Sequence, residues 1–392
     1  MASIRQRTWT SGGETKTAWV ADYFDQEGKR RLKTFTTKKA ATAWLPQAQV
    51  QVAAGLHTPE STSKTVAEAG KLWIKRGELE GLERSTLDKY RNHVDAINKV
   101  LGTVKLARLT APAVQTFRDD LLGSVSRPMA KKILGSLKSI ITESQRRGLV
   151  AQNVAQHVMI RTKGRDERKL ATGKDIPSKS EISAIIGAAT GRWRPLVITT
   201  IFTGLRSSEL RGLRWEDVDF DKKVIHVRQR ADQWGQIGSP KSKAGHRDIP
   251  MSPMVQNALK EWKLACPRKR VEGSDAGELW LVFPTGEGRV EWHSNIVNRG
   301  FDPIQIAAGC GYPDSEKKDD GGNPIMHAKY GMHAFRHFFA SWIIEQGFTA
   351  KKLQDLMGHS SIQMTFDTYG HLFPSVEDDH AKFAAGELAV VQ

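Results

Sequence analysis

The chain has 392 residues, more than one hydrophobic core usually holds, so two or three domains are expected. Hydrophobic residues make up 39 % and charged residues 26 %, a globular rather than a disordered balance. No apolar run approaches the roughly 20 residues of a membrane helix, no basic segment carries a strong apolar face, and the first residues lack an apolar signal core. These features exclude a membrane-spanning class and disfavour a membrane-surface one, and the expected location is the cytoplasm.

Two cysteines, Cys266 and Cys310, have no metal-ligand spacing and read as reduced structural thiols. The net charge of +16 is unevenly spread. Residues 1–60 hold 9 Lys and Arg against 5 Asp and Glu, residues 61–170 hold 22 against 11, and residues 171–392 hold 28 against 27. A basic front joined to a near-neutral rear reads as a polyanion clamp attached to a second module.

In chain order, residues 1–36 predict a small antiparallel sheet. Trp9 and its neighbours supply a first strand, with Gly12 and Gly13 at the turn. The alternating stretch Thr17–Asp25 is a second strand, Gly28 turns it, and Arg30–Thr36 returns, carrying Arg30 and Arg31. A helix starts at Thr37 and extends toward Ala54, with Pro46 expected to kink or interrupt it. Residues 55–64 have linker composition.

Residues 65–160 show helical periodicity. Apolar faces run through Val66, Ala69, Leu72 and Trp73, then Leu87, Tyr90, Val94 and Ile97, then Val114, Phe117 and Leu121, then Ile133, Leu137, Ile140 and Ile141. Thr110 is a candidate N-cap with Pro112 in the first turn. A compact domain of four or five helices follows, with Lys131, Lys132, Arg146 and Arg147 on its polar faces. Residues 161–175 form a charged linker. Domain spans of 1–56, 64–162 and 175–392 are expected.

The last span is mixed but mainly helical. Ser178 or Ser180 caps a helix through Ala189, and Pro195–Phe202 is apolar and buried. Lys223–Arg228 and His246–Pro250 read as strands around a hairpin-rich segment, and residues 309–330 read as a loop. Helices are expected from His333 to Glu345 and from Ala350 to Met357.

Four islands in this span could carry chemistry. In Thr203-Gly-Leu-Arg206-Ser-Ser-Glu209, an arginine sits at a helix start, where guanidinium and main-chain N–H groups can face a phosphate. Glu209 at i+3 can hold it. In Pro240-Lys241-Ser-Lys243-Ala-Gly, a lysine rides on a tight hairpin. In His333-Ala-Phe-Arg336-His337, the first histidine and the arginine share a helix face. The histidine pair lacks the glutamate of a zinc protease, because Ala334 stands there. In Leu356-Met-Gly358-His359, the glycine can end a helix and expose the histidine, and Tyr369 follows ten residues later.

The order of these islands, Arg–Lys–His-x-x-Arg–His–Tyr, resembles the tyrosine recombinase family of phage and mobile-element integrases. The resemblance is strongest over about residues 176–375. It implies a multidomain, mainly α fold with small β-sheets: an arm-type DNA-binding domain of three strands plus a helix, a helical core-binding domain, and a mixed α+β catalytic domain. It further implies that Arg206 and Arg336 clamp the scissile phosphate and that Lys243, preferred over Lys241, handles protons with His333. His359 would hydrogen-bond the phosphate and Tyr369 would be the nucleophile. Glu209 matches the supporting acid, and His337 a frequent second histidine with a structural role.

Such an enzyme would cleave and rejoin DNA through a 3′-phosphotyrosyl bond, with no metal, ATP or other cofactor. Its implied partners are double-stranded DNA at core and arm sites, three further copies in a synaptic tetramer, an excisionase and a DNA-bending host factor. Residues 380–392 would pack on a neighbouring copy. A type IB topoisomerase, or a DNA-binding protein of the same fold with an inactive site, would share many of these features.

Overall fold

The computed structural model describes residues 2–12, 14–55, 57–60, 63–161, 169–267 and 280–373, with Phe383 and residues 387–389. Most of the stretch 380–392 therefore lies outside the described residues, as do Gly13 and much of the charged linker. The chain divides into two compact units, Met1–Asp166 and Glu167–Gln392.

The first unit opens with an antiparallel meander of β1 (Ser3–Ser11), β2 (Glu14–Phe24) and β3 (Arg30–Phe35). Ser3 pairs with Asp22 on one side of β2, and Trp19 pairs with Phe35 on the other. The β2–β3 turn is fixed by the Asp25 carboxylate, which accepts from the main-chain N–H groups of Glu27 and Lys29. Helix α1 (Lys38–Ala53) begins at Thr37, whose hydroxyl accepts from Ala40 N, and buries Ala41, Leu45 and Ala48.

Of the kink or interruption expected at Pro46, the interruption does not occur, because α1 continues through it. The proline costs one helical hydrogen bond, that to the Thr42 carbonyl, but both residues are exposed and water can replace the donor.

Within the segment of linker composition, His57, Thr58 and Glu60 are tethered. His57 is buried and hydrogen-bonded to the Tyr23 hydroxyl at 2.7 Å. The Thr58 hydroxyl accepts from Ala151 N, and Glu60 ion-pairs with Lys33 and Arg108. Four helices follow: α2 (Val66–Leu79), α3 (Arg84–Leu101), α4 (Ala111–Ser124) and α5 (Arg127–Arg146). Thr65 and Glu68 form a capping box on α2, and Thr110 caps α4. The expected apolar faces meet in one core containing Trp73, Ile97, Phe117, Leu137 and Ile140, and Tyr90 stacks on Trp73 at 4.4 Å.

The second unit begins with α6 (Lys179–Ala188), capped by Ser178 in a box with Glu181. Buried α7 (Trp193–Thr203) and short α8 (Ser207–Gly212) follow. Strands β4 (Val218–Asp219) and β5 (Val224–Val227) come next, then the small hairpin of β6 (Arg230–Ala231) and β7 (Ile237–Gly238). A 3-10 turn at Lys243–Gly245 leads into β8 (Arg247–Pro250), which completes a sheet of order β4-β5-β8. Then come α9 (Pro253–Ala265) and α10 (His293–Ile296), which passes through a π turn into α11 (Asp302–Ala307).

Residues 309–330 correct the loop expectation. They form an antiparallel hairpin of β9 (Gly311–Lys318) and β10 (Pro324–Ala328). Its turn is held by Asp319, whose carboxylate accepts from Gly321 N and Asn323 N. Nearly all of its residues are exposed, so neither face needs apolar residues and no alternation marks the strands. The chain then builds α12 (Met332–Glu345), α13 (Ala350–Met357) and α14 (Ile362–Tyr369). Among the described residues no helix is long and apolar enough to cross a membrane.

Candidate active site

Helix α7 ends at Gly204, in the left-handed region at φ 60°. A Cβ there would come within 2.4 Å of the Phe339 ring, so glycine alone fits the turn. The chain reverses and sets Arg206 at the cap position of α8. Arg206 is braced on both sides. Its main-chain N–H and its Nη1 donate to Glu209 at 2.9 and 2.8 Å, and its Nη2 donates to the Gly358 carbonyl at 2.9 Å.

Glu209 is 3 % exposed and has a second partner that its own sequence island does not announce, Arg247. Arg247 donates to both Glu209 oxygens at 3.1 and 2.8 Å, and its Nε donates to Leu356 O at 2.7 Å. The signal for it lay in strand periodicity. Arg247 pairs with Val227 while Ile249 pairs with Ile225, so β8 turns an arginine toward the core.

Burial alone would raise the Glu209 carboxyl, but the Arg247 hydrogen bonds and the charges of Arg247 and Arg206 outweigh it and hold the pKa near about 2. A carboxyl depressed on folding stabilises the folded state fully above its ordinary value of 4.5, and that stability is lost as the pH falls from there through about 2. The gap corresponds to about 3 kcal/mol. Arg247→Met is expected to cost about 1–3 kcal/mol at neutral pH, because it removes two charge-assisted hydrogen bonds from a buried carboxylate that is then left to Arg206 alone. It should also flatten the acid dependence of melting below pH 4.5. Urea or thermal melts at several pH values measure both; an unchanged midpoint at neutral pH would make the pair dispensable.

The second guanidinium, Arg336, projects from α12 and is 2 % exposed. It donates to the Gly204 carbonyl through Nη1 and to the Met357 carbonyl through Nη2. Burial and the neighbouring Arg206 push its pKa down to about 9, so it stays charged at neutral pH. The two guanidiniums therefore grip consecutive carbonyls, Met357 and Gly358, in one turn. Gly358 is left-handed at φ 61°, and a Cβ on it would come within 2.9 Å of the Ala244 carbonyl oxygen. The turn carrying Lys243 thus abuts the same glycine. Lys243 and Lys241 are both exposed.

His359 follows that turn but is not exposed as expected; 8 % of its surface is accessible. Its Nδ1 is hydrogen-bonded to the Thr365 hydroxyl at 2.9 Å, and its ring lies parallel to the Tyr369 ring at 6.3 Å. Gly358 does end α13, but the returning α14 covers the histidine. Thr365, fully buried and unmarked in the sequence, orients that ring.

Tyr369 is 1 % exposed. Burial pushes its phenol up to about 12, with Arg336 and Arg206 pulling the other way. The phenol is hydrogen-bonded to His337 Nδ1 at 2.8 Å. Burial, then the charges of His333 and Arg336, hold His337 down to about 4, and burial with Arg336, Arg206, Arg247 and His333 does the same for His359, so both rings are neutral at neutral pH. His333 stands at the exposed rim, edge-on to His337 at 4.7 Å, and is lowered in the same direction by burial, Arg336 and Arg206. Arg206, Glu209, His333, Arg336, His337, His359 and Tyr369 are thus linked by hydrogen bonds, ring contacts or the field of the two arginines.

The basic candidates in the first unit are placed differently from one another. Lys131, Lys132 and Arg146 are exposed on α5, while Arg147 is exposed but donates to Glu143 at 2.7 Å. Arg30 and Arg31 point to opposite faces of β3. Arg30 grips Asp22, and Arg31 is held by Asp25 at 2.7 Å. Among the described residues no group of three or more His, Cys, Asp and Glu could hold a metal ion.

Known proteins extend this picture. A family model described as the phage integrase family matches residues 178–375, half of the chain. The chain is 27 % identical over 375 residues to a tyrosine recombinase XerC-like protein of Caldanaerobacter subterraneus subsp. tengcongensis, covering 89 % of this chain and 90 % of that one. It is 24 % identical to the prophage integrase IntR of Escherichia coli strain K12, covering 83 % and 80 %. In fold it resembles a Tn1549 transposon integrase solved with a circular intermediate DNA, with a TM-score of 0.62, 20 % identity, and coverage of 83 % of this chain and 100 % of that one. It also resembles a lambda integrase tetramer solved on a Holliday junction, with a TM-score of 0.55, 17 % identity, and coverage of 90 % and 95 %.

The class that this fold and this site define is that of DNA recombinases with a tyrosine in the site. The chain belongs to the phage integrase family of tyrosine recombinases.

Proposed function

We propose that the chain is a site-specific integrase that cuts duplex DNA by forming a 3′-phosphotyrosyl bond at Tyr369 and rejoins it to a new partner, integrating and excising a phage or mobile element. One observation carries this reading: two guanidiniums are braced on adjacent carbonyls, Met357 and Gly358, one residue before a histidine whose ring lies parallel to a buried tyrosine.

The chemistry follows from charge. Attack on a phosphodiester builds negative charge on the non-bridging oxygens, and Arg206 and Arg336 offset it through directed N–H groups that need no reorganisation. His333 and His359 add hydrogen bonds to the same oxygens. Lys243 protonates the departing 5′ oxygen. The phosphotyrosyl bond conserves the energy of the broken link, so a 5′ hydroxyl from another strand reverses the step without ATP or a metal.

In this reading residues 1–56 bind arm sites and residues 64–162 join the catalytic span around core sites. Four copies act in one synapse, with an excisionase and a DNA-bending factor setting direction. The test is a nicked suicide duplex carrying the junction between the element and its host chromosome. A covalent adduct should accumulate without added metal or nucleotide; its absence at saturating protein overturns the reading.

The basic face of α5 serves binding rather than chemistry. Replacing Lys131 and Lys132 together with alanine is expected to weaken DNA binding at every sequence and to reduce the salt slope by about 0.9 for each phosphate that is no longer neutralised. Titrations at several salt concentrations measure this, and an unchanged slope removes both residues from the DNA face.

A further inference from the structure

We propose that His337, rather than His333, takes the phenolic proton of Tyr369 during strand cleavage; this deepens the integrase reading and rests on it. His337 Nδ1 lies 2.8 Å from the phenol oxygen, within the range from which a general base acts. The rings meet at 63° with centroids 5.7 Å apart, which directs an imidazole edge at the hydroxyl. His333 packs its ring against His337 and sits at the exposed rim under the influence of both arginines. A phenol that is 1 % exposed has little bulk water to receive its proton.

The helix explains the division of work. His333, Arg336 and His337 stand at i, i+3 and i+4 on α12, so one face offers an imidazole, a guanidinium and a second imidazole in sequence. The step balances as follows. The proton moves from the Tyr369 oxygen to His337 Nδ1 while that oxygen's electron pair forms the bond to phosphorus. The bond from phosphorus to the 5′ oxygen breaks, and that oxygen leaves with its pair and takes a proton from Lys243. Rejoining runs the same transfers backwards.

Burial raises the phenol and lowers the imidazole, so at rest the proton stays on Tyr369. Transfer is therefore coupled to attack, when the phenolic proton becomes acidic, and this is the situation in which a positioned base accelerates a reaction.

The experiment compares single-turnover cleavage of two nicked suicide duplexes, one with the ordinary 5′ oxygen at the scissile link and one with sulfur there. Sulfur leaves without a proton and relieves only the leaving-group side. His337→Ala is expected to slow cleavage by roughly 10²–10⁴-fold on both substrates, with unchanged DNA affinity and partial recovery on adding imidazole. Lys243→Ala should recover on the sulfur substrate alone. His337→Asn, which fills the site and hydrogen-bonds but is not basic, should stay slow.

Several outcomes overturn the proposal: cleavage by His337→Ala within a few-fold of the parent, full recovery in His337→Asn, or a His337→Ala defect that sulfur repairs. So does an imidazole-rescued, sulfur-insensitive loss in His333→Ala with none in His337→Ala. If the unsubstituted protein forms no adduct on either duplex, the integrase reading itself has failed, which is a distinguishable result.

Discussion

Tyr369→Phe is expected to form no covalent adduct on a nicked duplex while binding it as tightly as the parent protein. The change removes one oxygen from a ring that remains packed against His359 and the core of α12 and α13. Losing the bond to His337 costs about 0.5–1.5 kcal/mol, with a further penalty of about 1–3 kcal/mol if the imidazole nitrogen stays unsatisfied. The fold tolerates losses of that size in a unit with an extensive core, so the variant should be folded and inert. Gel separation of covalent from free DNA reads the result, and a surviving adduct would assign the nucleophile to another residue.

Arg336→Ala should fail on two counts at once. Removing one directed cation from the phosphate site costs roughly 10²–10³-fold in rate, by analogy with the loss of a single donor to a developing oxyanion. The same truncation leaves the carbonyls of Gly204 and Met357 without their buried donors, at about 1–3 kcal/mol for each group. Cleavage should fall far more than DNA affinity, and the melting temperature should drop. Arg336→Lys should not restore activity, because a point-like ammonium cannot span acceptors contributed by two different elements. Equal losses in cleavage and affinity would reduce Arg336 to an anchor.

What the sequence disclosed was local. The caps at Thr110 and Ser178 are short-range chemistry, and so is the Arg206–Glu209 pair. The apolar faces of the helical region were legible because burial on one side imposes a period. The hairpin at 311–328 was not, because a strand pair with both faces in solvent carries no such imprint. Within the site, the residue types were readable from island order, but the links between them were not. His337 and Tyr369 are 32 positions apart, and Arg247 and Glu209 are 38 apart. Such pairings arise only in the folded second unit, where α13 packs against α12, α14 and β8. The burial of His359 likewise depends on the return of α14, which Gly358 alone does not announce.

The tethered stretch from His57 to Glu60 has a mechanical consequence. Bonds to Tyr23, Lys33, Ala151 and Arg108 make it a brace rather than a leash between the β-meander and the four-helix bundle. Where the meander can reach is then fixed by short polar bonds and not by slack in the polymer. If each module grips its own stretch of double helix, the separation of those stretches is dictated by the protein, and lengthening the brace would relax that spacing.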